Sequence, residues 1–169
     1  ANYRSDLNDI IEKYNELGYR DAKIEADSVY TNADGSLGIK IKIFEGNRYY
    51  FRNVTFTGNT VYPSSQLARL MKIEKGDPYN KKMLEQNVSV EPTGTDNINS
   101  LYMDNGYLAF RAMPTEIAVE NDSIDIEVRM HEGSQYRVNK VLVEGNTITN
   151  DKIIMRELYT RPGDLYSKD

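Results

Sequence analysis

Alternating apolar and polar residues predict two strands that end in the same dipeptide. Leu37–Phe44 and Ser123–His131 each carry an apolar residue at every second position. This is the pattern of a strand with one buried face and one solvated face. Both strands run directly into Glu-Gly, at Glu45 and at Glu132. The chain is therefore expected to contain one structural unit more than once.

A helix and another strand are predicted before each of these two strands. The apolar residues of Ser5–Leu17 recur at helical spacing, Ser5 is the expected N-cap, and Gly18 suits the left-handed position after a helix. Asp96–Asn105 followed by Gly106 has the same pattern. The strands that follow the two helices are predicted over Ala22–Tyr30 and Leu108–Val119.

The region between the two copies completes the unit. The stretch Glu45–Thr60 returns, altered, as Glu132–Thr147, 87 positions further on, and the register then continues without a gap. A constant period without insertions is the signature of tandem repeats. This region predicts a strand (Tyr50–Thr57), a helix whose first turn contains Pro63, a short helix (Asn80–Asn87) and a loop (Glu91–Thr95).

One complete α+β repeat is therefore predicted, with the order strand, helix, helix, strand, strand. Residues 47–133 form this repeat. Residues 1–46 correspond to the C-terminal half of a preceding repeat, and residues 134–169 to the N-terminal half of a following one. The chain is expected to be a piece of a longer array.

Composition narrows the possible functions. The net charge of −5 and the pI of about 5.0 argue against a nucleic-acid partner. The chain has no cysteine, and His131 is its only histidine, so it cannot supply a thiolate site or a multi-histidine site. Asp122 and Asp125 are interpreted as solvated hairpin charges. We expect no enzyme activity, no cofactor and no metal site, and no apolar run is long enough to span a bilayer as a helix.

Four motifs, in order, resemble the POTRA domain, the periplasmic repeat of the outer-membrane barrel-assembly family (BamA-like outer membrane assembly factors). They are Val54-x-Phe56-x-Gly58-Asn59-Thr60, Gly76-Asp77-x-Tyr79, Tyr102-x-x-x-Gly106-Tyr107 and Glu132-Gly133. The resemblance covers nearly the whole chain. It departs from the family over Val88–Thr95, where the family usually has one continuous helix.

The resemblance implies tandem two-layer β-α-α-β-β units, each with a three-stranded mixed sheet and two helices on one face. Strand two is then an edge, and Pro114 within it agrees, because proline in a strand is tolerated mainly at an edge. A free edge can accept another chain's strand. The residues expected to bind client strands are Leu108, Phe110, Arg111, Ala112, Met113, Thr115 and Ile117.

The resemblance also implies a function and a location. The chain is expected to be a periplasmic, chaperone-like docking module at the outer membrane of a Gram-negative bacterium. The implied partners are unfolded outer-membrane proteins, accessory assembly lipoproteins and a C-terminal membrane barrel outside this sequence. The alternatives are a POTRA array of a two-partner secretion transporter or an autotransporter assembly factor, and an enzyme of unknown type.

Two further expectations concern the ends of the repeats. Consecutive units are expected to meet at joints formed by Glu45, Gly46, Tyr49, Glu132, Gly133 and Tyr136. The two half-units are complementary, so the tail of one chain is expected to dock head to tail on the front of another, with Val141 beside Ile41.

Overall fold

The computed structural model describes residues 2–88, 97–148 and 150–167, and it contains two separate sheets. The helices are α1 (Tyr3–Glu16), α2 (Ser64–Met71), α3 (Lys81–Val88), α4 (Ile98–Met103) and α5 (Asp151–Glu157). The strands are β1 (Lys23–Thr31), β2 (Leu37–Phe44), β3 (Tyr50–Thr57), β4 (Arg111–Glu120) and β5 (Ser123–His131). Within these ranges, no helix combines the length and the apolar character needed to cross a membrane. We call residues 2–46 the front segment, 47–133 the central unit and 134–167 the tail segment.

The central unit has a mixed sheet of three strands in the order β3-β5-β4. β3 runs parallel to β5, and β4 pairs with β5 in an antiparallel hairpin. The strand order expected from the resemblance is therefore confirmed, with β4 at an edge. The phase of β5 is also confirmed, because Ile124, Ile126 and Val128 are fully buried.

Three helices, rather than two, cover one face of this sheet. The buried side chains of β5 pack in one core with residues of α2, α3 and α4, among them Leu67, Leu84 and Tyr102. The helices predicted over Asn80–Asn87 and Asp96–Asn105 are present as α3 and α4, while the predicted loop Glu91–Thr95 lies outside the described residues. Asn80 caps α3, as expected, by accepting a hydrogen bond from the Met83 backbone N–H at 2.9 Å. Pro63 occupies the N-cap of α2 rather than its first turn.

Both outer strands of the sheet have an irregular register beside the same residue of β5. β3 skips between Phe51 and Asn53, and β4 skips between Glu116 and Ala118. In each case the residue that resumes the pairing lies opposite Asp125. Such bulges increase the local twist of the sheet.

The front segment consists of α1 and the β1–β2 hairpin. α1 begins at Tyr3, so the prediction that Ser5 caps it is wrong; Asn2 occupies the N-cap position. Gly18 has a φ of +99° after the helix, as predicted. The alternation in β2 is present, but its apolar side chains are not buried: Ile39 is 55% exposed. The helix α1 has no buried residue either.

The tail segment contains a helix but, among the described residues, no strand. The prediction of a strand through Val141 is therefore wrong for this structure. Only an isolated bridge joins Arg137 to Leu165. The physical reason is that a strand exists through hydrogen bonds to a neighbouring strand, and no described strand lies beside residues 138–144. The predicted helix is present as α5.

The assignment of buried and exposed faces predicts that the same substitution, isoleucine to valine, changes stability differently on β5 and on β4. We expect Ile126→Val in the core to lower the free energy of unfolding by about 0.5–1.5 kcal/mol, since it removes a buried methylene. Ile117→Val on β4 is the matched control; this side chain is half exposed, so the change should stay within about 0.5 kcal/mol. Urea unfolding measures both. Equal losses would contradict the assigned faces.

Candidate functional site

The outer edge of β4 is free of strand pairing within the described part of the chain. β4 is hydrogen-bonded to β5 on one side and is the last strand of its sheet. Pro114 lies in the middle of the strand, opposite Val128, which suits an edge because proline has no backbone N–H to donate. This edge is open to pairing with a further strand.

The sheet face opposite the helices exposes apolar side chains along β4. Met113 is 68% exposed and Ile117 is 51% exposed. Large exposed apolar side chains that share one face commonly mark an interaction surface. Of the residues predicted to bind client strands, Arg111, Met113, Thr115 and Ile117 are exposed on β4, and Ala112 is partly buried against the core.

Two of the predicted edge residues do not belong to the edge. β4 begins at Arg111, so Leu108 and Phe110 precede the strand. The ring of Phe110 is 3% exposed and stacks on Tyr102, with ring centroids 4.0 Å apart. Phe110 is therefore a core residue, because packing its apolar ring in this stack is more favourable than leaving it on a solvated strand edge. The sequence alternation before Arg111 gave no sign of this turn into the core.

The front segment contacts β4 at Glu116. The guanidinium of Arg20 lies 2.8 Å from the Glu116 carboxylate, which also accepts a hydrogen bond from the Tyr79 hydroxyl at 2.6 Å. Burial and this hydrogen bond raise the pKa of Tyr79. Nearby, the Lys82 ammonium lies within ion-pair distance of Glu12 and Glu16 on α1. Polar contacts thus connect the front segment to β4 and to α3.

Backbone and side-chain hydrogen bonds together hold the joint between the front segment and the central unit. The Tyr49 N–H donates to the Gly18 carbonyl at 2.8 Å, and the Arg48 side chain donates to the Leu17 carbonyl at 2.8 Å. The Tyr49 hydroxyl donates to Asp21 at 2.9 Å. A Cβ on Gly18 would lie 2.9 Å from the Tyr49 carbonyl oxygen, so glycine is needed for this approach.

The joint between the central unit and the tail segment repeats this geometry. The Tyr136 N–H donates to the Gly106 carbonyl at 2.8 Å, and the Gln135 side chain donates to the Asn105 carbonyl at 3.0 Å. A Cβ on Gly106 would lie 2.7 Å from the Tyr136 carbonyl oxygen. The two joints therefore share one backbone arrangement. They differ in one side chain, because Tyr136 is 48% exposed and Tyr49 is less exposed.

The two Glu-Gly dipeptides have different surroundings. Glu132 is buried and accepts hydrogen bonds from the Thr60 N–H and hydroxyl, the Val61 N–H and the Tyr102 hydroxyl. It therefore fastens the turn after β3 of its own unit, which corrects its assignment to a joint. Glu45 is exposed and accepts from the Tyr14 hydroxyl at 3.0 Å. Gly46 and Gly133 both have φ near +70°.

The charge of Glu132 is stabilised by these contacts. Burial raises the pKa of its carboxyl, but the hydrogen bonds from Thr60, Tyr102 and Val61 outweigh burial and hold the pKa below its ordinary value. A second carboxylate that the sequence reasoning underestimated is Asp125, which accepts two hydrogen bonds from the Arg52 guanidinium at 2.8 and 2.7 Å. It was predicted as a solvated charge, and nothing in the sequence pattern identified Arg52 as its partner.

The described residues offer no arrangement typical of a metal site: no group of three or more His, Asp or Glu side chains is placed to hold an ion. His131 is exposed at the end of β5. The features that stand out in the described residues are a free strand edge and a repeated joint.

Comparison with known proteins identifies the family. The model of the POTRA family, described as a surface antigen variable number repeat, matches residues 49–133 and 136–169. The outer membrane protein assembly factor BamA of Nitratidesulfovibrio vulgaris is 30% identical over 151 residues, 88% of this chain. A putative outer membrane protein assembly factor of Treponema pallidum is 26% identical over 161 residues, 92% of this chain. The chain spans 18% of the length of each of these relatives.

Solved structures show the same fold. The crystal structure of Haemophilus influenzae BamA POTRA3-5 superimposes with a TM-score of 0.63 at 22% identity, and the match covers 99% of this chain and 64% of that one. Haemophilus ducreyi BamA lacking POTRA domains 1-3 matches 75% of this chain and 22% of that one, with a TM-score of 0.53 and 22% identity. The chain belongs to the POTRA family, and its domains are of the kind found in BamA-like outer membrane assembly factors.

Proposed function

We propose that this chain is a periplasmic docking module in the assembly of outer-membrane proteins, and that β4 binds extended client segments by adding a strand to its sheet. The relatives named above are assembly factors, which supports this role over that of a secretion transporter. The free edge of β4 carries the proposal for strand addition. The module acts as a scaffold rather than an enzyme.

The chemistry of the edge suits strands of membrane barrels. Main-chain hydrogen bonds at an edge do not depend on the side chains of the guest, so many sequences can bind. Barrel strands alternate apolar and polar residues. On an added strand, the apolar side chains would lie beside Met113 and Ile117 on the open face of the sheet. The exposed residues that would carry this binding are Arg111, Met113, Thr115 and Ile117.

The division into repeats supports the same proposal. We propose that residues 1–46 end one POTRA domain, that 47–133 form a complete one, and that 134–169 begin another. The support is the repeated joint, in which the carbonyl of Gly18 or Gly106 accepts from the next unit's Tyr49 or Tyr136. In a longer protein such an array would lead to a membrane barrel and could receive accessory lipoproteins.

The test uses a peptide of about 10 residues, the length of a barrel strand, with alternating apolar and polar positions, added to the isotope-labelled chain. We expect the largest amide shifts along Arg111–Glu116 of β4. The matched control is the same peptide N-methylated at alternate residues, which keeps the side chains but removes N–H donors. It should bind at least about 5-fold more weakly, because the main-chain hydrogen bonds carry the proposed affinity.

Two variants separate edge binding from general stickiness. Met113→Lys should weaken peptide binding, whereas Leu142→Lys, which changes an equally exposed apolar residue of the tail segment, should not. Shifts confined to α2, α3 and α4, or equal binding of the N-methylated peptide, would show that β4 is not the docking edge.

A further inference from the structure

The front segment leaves uncovered the surface that the central unit buries. Positions 87 or 88 residues apart correspond in the two, as the matching turns and joints show. Ile126 is fully buried, but its counterpart Ile39 is more than half exposed. Tyr102 is fully buried, but its counterpart Tyr14 is only partly buried. In the central unit, β3 and α2 cover β5 and α4. In the front segment, no described strand occupies the equivalent edge of β2.

The tail segment carries the counterpart of that missing cover. α5 begins at Asp151, 87 positions after Ser64, the first residue of α2. Leu67 and Met71 of α2 are fully buried, whereas their counterparts Ile154 and Leu158 are only partly buried. α5 has no buried residue. The apolar residues that would seal the core of a repeat are therefore present in the tail segment but are not used within its own chain.

Two specific contacts of the central unit identify how the halves would fit. Glu132 accepts hydrogen bonds from both Thr60 and Val61 in the turn after β3. In the same turn, a Cβ on Gly58 would lie only 2.2 Å from the Met130 carbonyl oxygen, so the two backbones meet there. These contacts join the front half of a repeat to its back half.

The counterparts of these contacts lie apart within one chain. Glu45 is exposed and accepts a hydrogen bond from Tyr14, whereas its counterpart Glu132 is buried and also accepts from the turn after β3. The space where a Cβ on Gly145 would lie contains no atom within 4 Å. The chain thus holds both sides of a contact that it already forms once in the central unit.

From these paired surfaces we propose that the tail segment of one copy docks on the front segment of a second copy and completes a hybrid repeat. In this repeat residues 138–144 form a strand parallel to β2, and α5 covers α1. The register of β3 on β5, which places Val54 opposite Ile126, puts Val141 opposite Ile39. This register replaces the sequence-based expectation of Val141 beside Ile41. The Glu45 carboxylate then accepts from Thr147, as Glu132 does from Thr60.

The association is head to tail, so it closes into a ring or continues as a chain of copies. It is a property of the 169-residue chain: in a longer array, adjoining repeats would fill the same two surfaces. Sedimentation equilibrium of the chain is expected to show a mass that rises with concentration above the monomer mass of 19.4 kDa.

The decisive test is complementation between two variants. Ile39→Lys disables the front surface and Val143→Lys disables the tail surface, and neither residue belongs to the buried core of the central unit. Each variant alone should be monomeric, because every contact between two of its copies would place the new lysine on one of the two docking surfaces. A mixture of the two retains one intact front and one intact tail, so it should give a 1:1 dimer and nothing larger. A monomeric parent chain, or a mixture that stays monomeric, would overturn the proposal.

A pair of glycine variants tests the register. Gly145→Ala should weaken association at least about tenfold. In the docked copies the added methyl group would overlap with the Ile43 carbonyl, just as a methyl group on Gly58 would overlap with the Met130 carbonyl in the central unit. Gly163→Ala is the control: it has a similar positive φ, and its counterpart Gly76 has open space even in the assembled central unit. Equal effects of the two variants would refute the proposed docking geometry.

Discussion

Glu132→Ala is expected to lower the free energy of unfolding of the central unit by about 1–3 kcal/mol, which is the range for leaving a buried hydrogen-bonding group without its partner. The carboxylate accepts from two backbone N–H groups, at Thr60 and Val61, and from the hydroxyls of Thr60 and Tyr102. Removing it leaves the buried Tyr102 hydroxyl without its acceptor, whereas Thr60 and Val61 are exposed and their donors can bond to solvent. Urea unfolding followed by circular dichroism measures the loss.

Glu45→Ala is the matched control at the equivalent position. Glu45 is exposed and accepts from Tyr14, so its loss should cost less than about 0.5 kcal/mol when the chain is monomeric. A comparable loss in both variants would mean that the network around Glu132 does not stabilise the fold.

The same network predicts a pH dependence. The folded state lowers the pKa of Glu132 from its ordinary value of 4.5. A group with a depressed pKa contributes stability above the ordinary pKa, and this stability is lost as the pH falls below 4.5 through the folded pKa. Glu132→Gln should therefore lose less stability than the parent chain on acidification through this window. Parallel curves for the two proteins would contradict the assignment.

Gly58→Ala is expected to destabilise the central unit by about 2–5 kcal/mol. Part of this cost is the left-handed backbone, with a φ of +81°, which is unfavourable by about 1–2 kcal/mol for a residue with a Cβ. The larger part comes from overlap, because the methyl group would lie 2.2 Å from the Met130 carbonyl oxygen. Backbone on both sides would have to move, which overpacking studies place at about 1–3 kcal/mol.

Gly145→Ala separates the two parts of this cost. Gly145 has a φ of +85°, close to that of Gly58, but the position of its Cβ is open. In the monomeric chain it should therefore show only a local effect on the tail segment, with the unfolding of the central unit unchanged. If Gly58→Ala also left the central unit unchanged, the close contact with Met130 would not exist in solution.

The sequence pattern located three of the five strands to the residue. β2, β3 and β5 were predicted with the boundaries that the structure shows, because β2 and β5 alternate strictly and β3 is bounded by the turn Gly58-Asn59-Thr60 of the repeated stretch. β4 was started too early, at Leu108, because Phe110 continues an apolar pattern while its ring in fact stacks on Tyr102. Such a stack depends on α4, so neighbouring residues along the chain could not indicate it.

Pairing could be predicted less well than strand pattern. The tail sequence around Val141 has the composition of a strand but no described neighbour, so it remains without strand structure in this chain. The hydrogen bonds of Glu132 to Thr60 connect residues 72 positions apart, and only the fold brings them together. The free edge of β4 followed from the family resemblance and Pro114, whereas the exposure of Met113 and Ile117 required the structure.

In the strand addition proposed for β4, the bulge in this strand limits how long a guest strand can be. The regular part of the edge runs from Arg111 to Glu116, before the register breaks. Six residues at about 3.3 Å each span roughly 20 Å, whereas a membrane-spanning barrel strand has about 9–11 residues. One unit would therefore grip only part of such a strand at a time. A short grip of this kind gives fast release, so that a client would pass along successive units by repeated brief captures rather than by stable storage on one of them.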